Sequence, residues 1–250
     1  MDFSENDTPK TRLYGRRRSH GLKPSQWQYL QESVAETSLL HFTDAFEKRV
    51  FSHIYLEIGF GAGEHLLAQA EACSEAAFIG AEPFENGFVQ AHQKAARLSN
   101  LFLHNEDVRL LLPLFPPASL DGVYVLFPDP WPKRRHQKRR LMNKAFLEAL
   151  ALLFKPGGEL RFATDCLDYA AEVIRLIEES SDWRWKTTTP RTPHTLVEVP
   201  CFCKATTQQI LKAHTSFFAR PLSWPETRYE CKALQRGRAC CYLSALYGAK

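Results

Sequence analysis

An acid in a proline-rich loop, followed at once by a dense cationic run, is the feature of this chain best suited to chemistry. The stretch reads Phe127-Pro128-Asp129-Pro130-Trp131-Pro132-Lys133-Arg134-Arg135-His136-Gln137-Lys138-Arg139-Arg140, and six of its last eight residues are Lys or Arg. Residues 121–127 in front of it read as a buried strand. Asp129 is therefore expected just past a strand's C-terminal end, where open α/β sheets place their ligands. The cations are what a polyanion would require. An acid beside a phosphate-binding strip points to an enzyme that acts on nucleic acid. Trp131 has two readings, a stacking surface for a base or packing beneath the loop, and its proline neighbours favour packing. His136 reads as a phosphate or structural contact, not a proton carrier.

A second constellation is Glu57-Ile58-Gly59-Phe60-Gly61-Ala62-Gly63, after a predicted strand and before a predicted helix. Gly59, Gly61 and Gly63 permit a tight turn and close approach of a ligand to backbone. Their spacing is Gly-x-Gly-x-Gly, not the Gly-x-Gly-x-x-Gly of dinucleotide sites. Glu57 would repel a pyrophosphate and suits the cationic amino-acid end of S-adenosylmethionine. Glu82 closes the next strand 25 residues on, where an acid can accept hydrogen bonds from both ribose hydroxyls. Asp107 ends the third strand and could meet an adenine amino group, with Glu106 competing for that role. Each feature alone is commonplace, a turn or a helix cap. Three acids at successive strand ends favour a methyl donor over NAD, the main rival.

These residues need a scaffold, and the pattern supplies one. Strands are predicted over 54–58, 77–82, 101–104, 121–127 and 159–163. Helices are predicted from Pro24 and over 64–72, 86–98, 108–114, 141–154 and 167–179, with Lys155-Pro156-Gly157-Gly158 stopping the 141–154 helix. Strands alternating with helices imply a parallel sheet covered on both faces. Further on, 191–200 reads as a loop or sheet edge and 206–215 as a helix. Residues 227–230 and 239–243 read as a closing hairpin around Gly237. Residues 1–23 form a basic, weakly ordered arm, and 24–250 one domain.

The chain has 250 residues, 44% of them hydrophobic, enough for one substantial core. Net charge is +4, but without the Lys and Arg of residues 10–23 and 133–140 the remainder is −8. Two cationic strips on an acidic body predict salt-sensitive binding to phosphate. No stretch is apolar enough to span a bilayer and the N-terminus is polar, so a cytoplasmic protein away from membranes is expected. The seven cysteines are scattered, and neither Cys201-x-Cys203 nor Cys240-Cys241 has zinc spacing. They read as reduced thiols, and no metal site is assigned.

Taken together, the chain resembles the bacterial tRNA (guanine-N7)-methyltransferases of the TrmB type from about Leu13 to Tyr242. The likeness rests on Tyr14-Gly15-Arg16-Arg17-Arg18, the glycine turn, the Asp-Pro-Trp loop with its basic tail, Ala163-Thr164-Asp165 and Thr227-Arg228-Tyr229-Glu230. The resemblance implies a class I S-adenosylmethionine-dependent methyltransferase fold, α/β, with a seven-stranded mostly parallel sheet and helices on both faces. It implies methylation at N7 of guanine 46 in the tRNA variable loop. By motif match, Glu57, Gly59, Gly61, Gly63, Glu82, Asp107 and Asp129 line the donor site, Asp129 being also the catalytic candidate. Lys133, Asp165, Thr227, Arg228, Tyr229 and Glu230 would contact substrate. Arg135, His136, Gln137, Lys138, Arg139 and Arg140 would hold RNA. tRNA is the expected partner; no obligatory protein partner is expected, and monomer and homodimer stay open. So do a different methylation target and an RNA-binding protein without catalysis.

Overall fold

The computed structural model describes Arg17 and residues 22–36, 51–186, 205–221 and 224–248. Lys10, Arg12, Arg16 and Arg18 of the first cationic strip, segment 191–200, Cys201 and Cys203 lie outside the described residues. Helix α1 spans Pro24–Glu36, with proline in the first turn where its missing N–H costs nothing. Then follow β1 (His53–Ile58), α2 (Glu64–Ala72), β2 (Ala76–Ala81), α3 (Glu85–Ala95), β3 (Leu101–His104), the short α4 (Val108–Leu111) and β4 (Leu120–Leu126). Next come α5 (Lys144–Ala151), β5 (Phe154–Thr164), α6 (Leu167–Glu178), β6 (Trp183–Trp185), α7 (Ala205–Ala213), α8 (Arg228–Gln235) and β7 (Cys241–Tyr247).

The seven strands form one sheet in the order β3-β2-β1-β4-β5-β7-β6. Strands β1 to β5 pair in parallel, and β7 runs antiparallel to both β5 and β6. The order reverses at β1, which has β2 on one side and β4 on the other. The crevice beyond such a reversal is where doubly wound sheets bind ligands. Side chains alternate across the sheet with a period of two. Leu56, Ile58, Val123, Val125, Leu160 and Phe162 join one buried layer with α5 and α6. Phe78, Tyr124, Leu126 and Ala163 join the other, with Phe60, Leu66 and Phe88. Each fully buried Val, Leu, Ile or Phe among them contributes about 1.5–3 kcal/mol.

Three expectations are corrected. The helix expected over 141–154 covers only Lys144–Ala151, because Asn143 caps it, accepting from Phe146 N at 3.1 Å. Lys155–Gly158 does not stop that helix but lies inside β5. There the partner of β4 jumps from Phe154 to Glu159 between Leu120 and Gly122, and Gly157 takes φ 84°. Glycine accommodates that left-handed bulge without strain. The expected hairpin at 227–243 is instead a helix followed by the antiparallel strand β7, which lies between β5 and β6. Thr227 is the cap of α8, accepting from Glu230 N at 3.2 Å.

Phe162 is 1% exposed at the centre of the larger layer, edge-on to Tyr169 at 5.2 Å. Phe162→Ala should lower unfolding free energy by about 3–5 kcal/mol, read as a shift of the urea midpoint at unchanged slope.

Candidate active site

The turn after β1 uses glycine's freedom three times: Gly59, Gly61 and Gly63 have φ of 77°, 58° and 83°. Gly59 N donates to Ala81 O at 2.8 Å, so the turn is pinned to the end of β2. A Cβ on Gly87 would fall 2.5 Å from Gly61 O, so the first turn of α3 lies directly against the loop. The Tyr229 ring lies 3.1 Å from where a Cβ on Gly61 would be, covering the turn from the other side. A small cavity opens here, lined among others by Glu57, Gly59, His65, Thr227 and Tyr229.

The acids at the strand ends are held in different ways. Glu57 is buried, and its Oε2 meets Nδ1 of buried His65 at 2.7 Å. His65 stands edge-on to the Tyr124 ring, with centroids 5.0 Å apart. Glu82 accepts from Gly61 N at 2.7 Å and from Phe84 N at 2.8 Å. Burial nonetheless pushes its carboxyl up to about 7, and the charges of Asp129 and Glu57 add to the rise. Glu82 therefore lies within electrostatic reach of both other acids at one edge of the sheet. Asp107 caps α4 and is gripped by Arg109, Nε at 2.8 Å and Nη2 at 2.6 Å. Burial alone would raise Asp107, but the bonds and charge of Arg109 outweigh it and hold it below the usual carboxylate range. Glu106 pairs with Arg17 at 2.7 Å, both half exposed.

Beyond β4 the chain enters the proline loop through strained backbone: Phe127 has φ 53° and Trp131 φ 41°. Non-glycine residues rarely occupy that region. Phe127 N donates to Ala163 O at 2.7 Å, tying the loop to β5. Asp129 is exposed at the tip, yet flanking protein desolvates its carboxyl enough to raise it. Residues 134–139 form a 3₁₀ helix. Side chains three apart eclipse in such a helix, so Arg135 and Lys138 share a face, and both are exposed, as are Lys133 and Arg134. His136 and Arg139 share another, against Trp131: the His136 ring is edge-on at 5.9 Å, and the Arg139 guanidinium lies over the indole at 4.9 Å. Trp131 is thus neither core nor an open stacking surface. Desolvation, then the charges of Arg139, Arg135 and Lys133, push His136 below its ordinary value. Gln137 is partly buried, and Arg140, expected on RNA, is 3% exposed and points into the protein.

Asp165, after β5, pairs with Arg238 at 2.7 Å. Thr227 is buried at the cavity, while Arg228 and Tyr229 are exposed. Arg228 Nε lies 3.8 Å from Glu64. Glu230 is turned inward, accepting from Tyr242 Oη at 2.6 Å and pairing with Arg220 Nε at 2.9 Å. His65, Arg220 and Arg238 had no sequence signal, because each meets its partner only in the folded chain. Neighbouring Glu64 and the eight-residue spacing from Glu57 do not mark His65 as special.

This arrangement of glycine turn, strand-end acids and reversed strand order defines a class I methyltransferase. The KamB 16S rRNA methyltransferase shares the fold, with a TM-score of 0.52 at 12% identity over 92% of this chain and 95% of that one. A methyltransferase family model (Methyltransf_4) matches residues 52–219. The tRNA (guanine-N(7)-)-methyltransferase of Rhodospirillum rubrum is 36% identical over 96% of this chain and 89% of its own. That of Azorhizobium caulinodans is 37% identical over 94% of each. The chain belongs to the tRNA (guanine-N(7)-)-methyltransferase family.

The Glu82 environment has a consequence for stability. Its folded value, about 7, lies above its ordinary 4.5, so the folded state favours the protonated form. Its contribution is full below about pH 4.5 and is lost as pH rises through about 7, up to about 3 kcal/mol. Glu82→Gln should flatten that part of the stability profile, measured by urea denaturation from pH 4.5 to 8.

Proposed function

We infer that this chain transfers the methyl group of S-adenosylmethionine to N7 of a guanine in tRNA, and that the target is guanine 46 of the variable loop. The observation that carries this reading is that Glu57, Glu82 and Asp129 fall at the C-terminal ends of the adjacent strands β1, β2 and β4, followed along the chain by the exposed cations Lys133, Arg134, Arg135 and Lys138. The residues present fit the donor. The left-handed glycine turn leaves its backbone open at Gly59, where a Cβ would meet nothing within 4 Å. Glu57 offers negative charge to a cationic amino-acid end, and Glu82 offers a carboxylate to ribose hydroxyls. Asp107 and Glu106, after β3, are the acids that would meet an adenine amino group, Asp107 with both oxygens already held by Arg109. When bound, S-adenosylmethionine supplies a methyl group made electrophilic by its sulfonium.

Guanine N7 presents a lone pair and carries no proton, so the protein needs no general base at that atom. Its task is alignment, which can supply much of the barrier reduction. Asp129 accepts hydrogen bonds from the guanine N1–H and N2–H₂ edge or steadies positive charge on the ring. Asp165, already partnered by Arg238, is the second acid for that edge. Arg135 and Lys138 hold phosphate, reading shape and not sequence. Lys133 and Tyr229 border the guanine, and Thr227 and Glu230 keep Tyr229 in place through the cap and the inward ion pair. No helix among the described residues is long and apolar enough to cross a membrane.

Purified protein, labelled S-adenosylmethionine and unmodified tRNA transcripts with guanine or adenine at position 46 test the reaction. Label followed by strand scission at 7-methylguanosine is expected with the first transcript and absent with the second; label elsewhere would overturn the position. Asp129→Asn should abolish turnover and leave tRNA affinity nearly unchanged, and strong activity in that variant would remove Asp129 from the reaction. Arg135→Ala and Lys138→Ala should each raise the tRNA Michaelis constant and reduce the slope of log affinity against log salt by about one. An unchanged slope would take that face off the RNA.

A further inference from the structure

The last residue of the cationic run behaves unlike its neighbours. The Arg140 side chain is 2% exposed. Its Nε donates to Pro130 O at 2.9 Å, in the loop that carries Asp129. Its Nη1 bonds the Glu172 carboxylate on α6. Its Nη2 faces Cys166 Sγ at 3.8 Å, in the turn next to Asp165. The guanidinium plane lies over the Tyr169 ring at 4.7 Å. Tyr169 in turn accepts from Met142 N at 2.8 Å, fixing the segment just after Arg140. Each nitrogen of the fork thus has a partner within the protein, and its burial keeps it from phosphate.

We propose that Arg140 is a positioning residue that joins the Asp129 loop to the Asp165 turn, and that it does not bind RNA. Pro128, Pro130 and Pro132 remove three backbone donors from the loop, so it is left with carbonyls and few ways to anchor itself. Phe127 and Trp131 sit in left-handed backbone, which persists only when surrounding structure over-determines it. Phe127 N secures the entry through Ala163 O, and Arg140 secures the tip through Pro130 O. Burying a guanidinium is costly unless it is paired and hydrogen-bonded, and Glu172, Pro130 and the Tyr169 face meet that requirement. Lysine cannot replace it, since a single ammonium lacks the planar fork that spans loop, turn and helix. The basic run therefore divides: Arg135 and Lys138 face outward, and Arg140 faces inward to hold the two acids of the site at a fixed separation.

The proposal rests on the reading of Asp129 as a reacting-site residue, and the test separates the two. Arg140→Lys and Glu172→Gln would be compared with Arg135→Ala in the full chain, the Glu172 variant being the milder perturbation should the first fold poorly. Three quantities are read: turnover at saturating tRNA, tRNA affinity with its salt slope, and hydrogen exchange of the Asp129, Trp131 and Lys133 amides. Expected for both inward variants are faster loop exchange, turnover reduced tenfold or more for Arg140→Lys and less for Glu172→Gln, and unchanged tRNA affinity and salt slope. Weakened tRNA binding with a flatter slope, unaltered loop exchange and normal turnover would overturn the proposal and return Arg140 to the RNA face. Faster loop exchange with full turnover would show that Arg140 braces the loop but that the brace does not serve turnover. That result would overturn the positioning role of Arg140, while Asp129→Asn separately decides the role of Asp129.

Discussion

One carboxylate holds two loops of this protein together. Glu82 accepts from Gly61 N in the turn after β1 and from Phe84 N in the turn after β2, which ties the two turns to each other. The bonds are short, the group is buried, and Glu57 and Asp129 oppose its charge. Such a carboxylate is poised: two backbone dipoles favour its ionised form, and burial and like charges oppose it. Everything nearby is fitted to that bridge. Gly87 has no room for a Cβ because Gly61 O lies where it would go, and Asn105 donates to Glu82 O at 2.8 Å from the strand-end beyond.

The opposite wall of the crevice follows a different logic. The proline loop cannot form its own ladder, so neighbours hold it: Ala163 O at its entry, and Arg140 at its tip. Trp131 with His136 and Arg139 folds the following 3₁₀ helix back on the loop. The outward cations are thereby presented from a fixed base and not from a floppy tail. On the third side, α8 begins at Thr227 beside the cavity, and its buried Glu230 is locked by Arg220 and Tyr242. Tyr229 is left standing over the glycine turn.

Much of the scaffold was legible in the chain. The first four strands were placed to within a residue or so, because buried parallel strands announce themselves as short apolar runs between turn signals. The expectation failed where two signals competed. Leucines at helical spacing from Leu141 onward suggested one long helix, but Phe154 has a partner in Leu120, and strand pairing won over local periodicity. Thr227-Arg228-Tyr229-Glu230 carries the Thr-x-x-Glu spacing of a helix start, which competes with the hairpin reading around Gly237. Pairing across the sheet is absent from local sequence, so β7 looked like half of a hairpin while it joins β5 to β6.

The sequence by itself determined the chemistry available: a glycine turn behind an acid, further acids at successive strand ends, and an acid in a rigid loop ahead of a cationic run. Those are statements about residue type and spacing along one strand or turn, and local sterics and charge suffice to make them. Only the tertiary structure decided which member of each group faces which way. Arg135 and Arg140 are indistinguishable as letters, yet one is exposed and the other is sealed against Tyr169. Glu57 gained His65, Asp165 gained Arg238, and Glu230 turned inward to Arg220. Burial and partnership are properties of packing between distant segments, and nothing within a single segment encodes them.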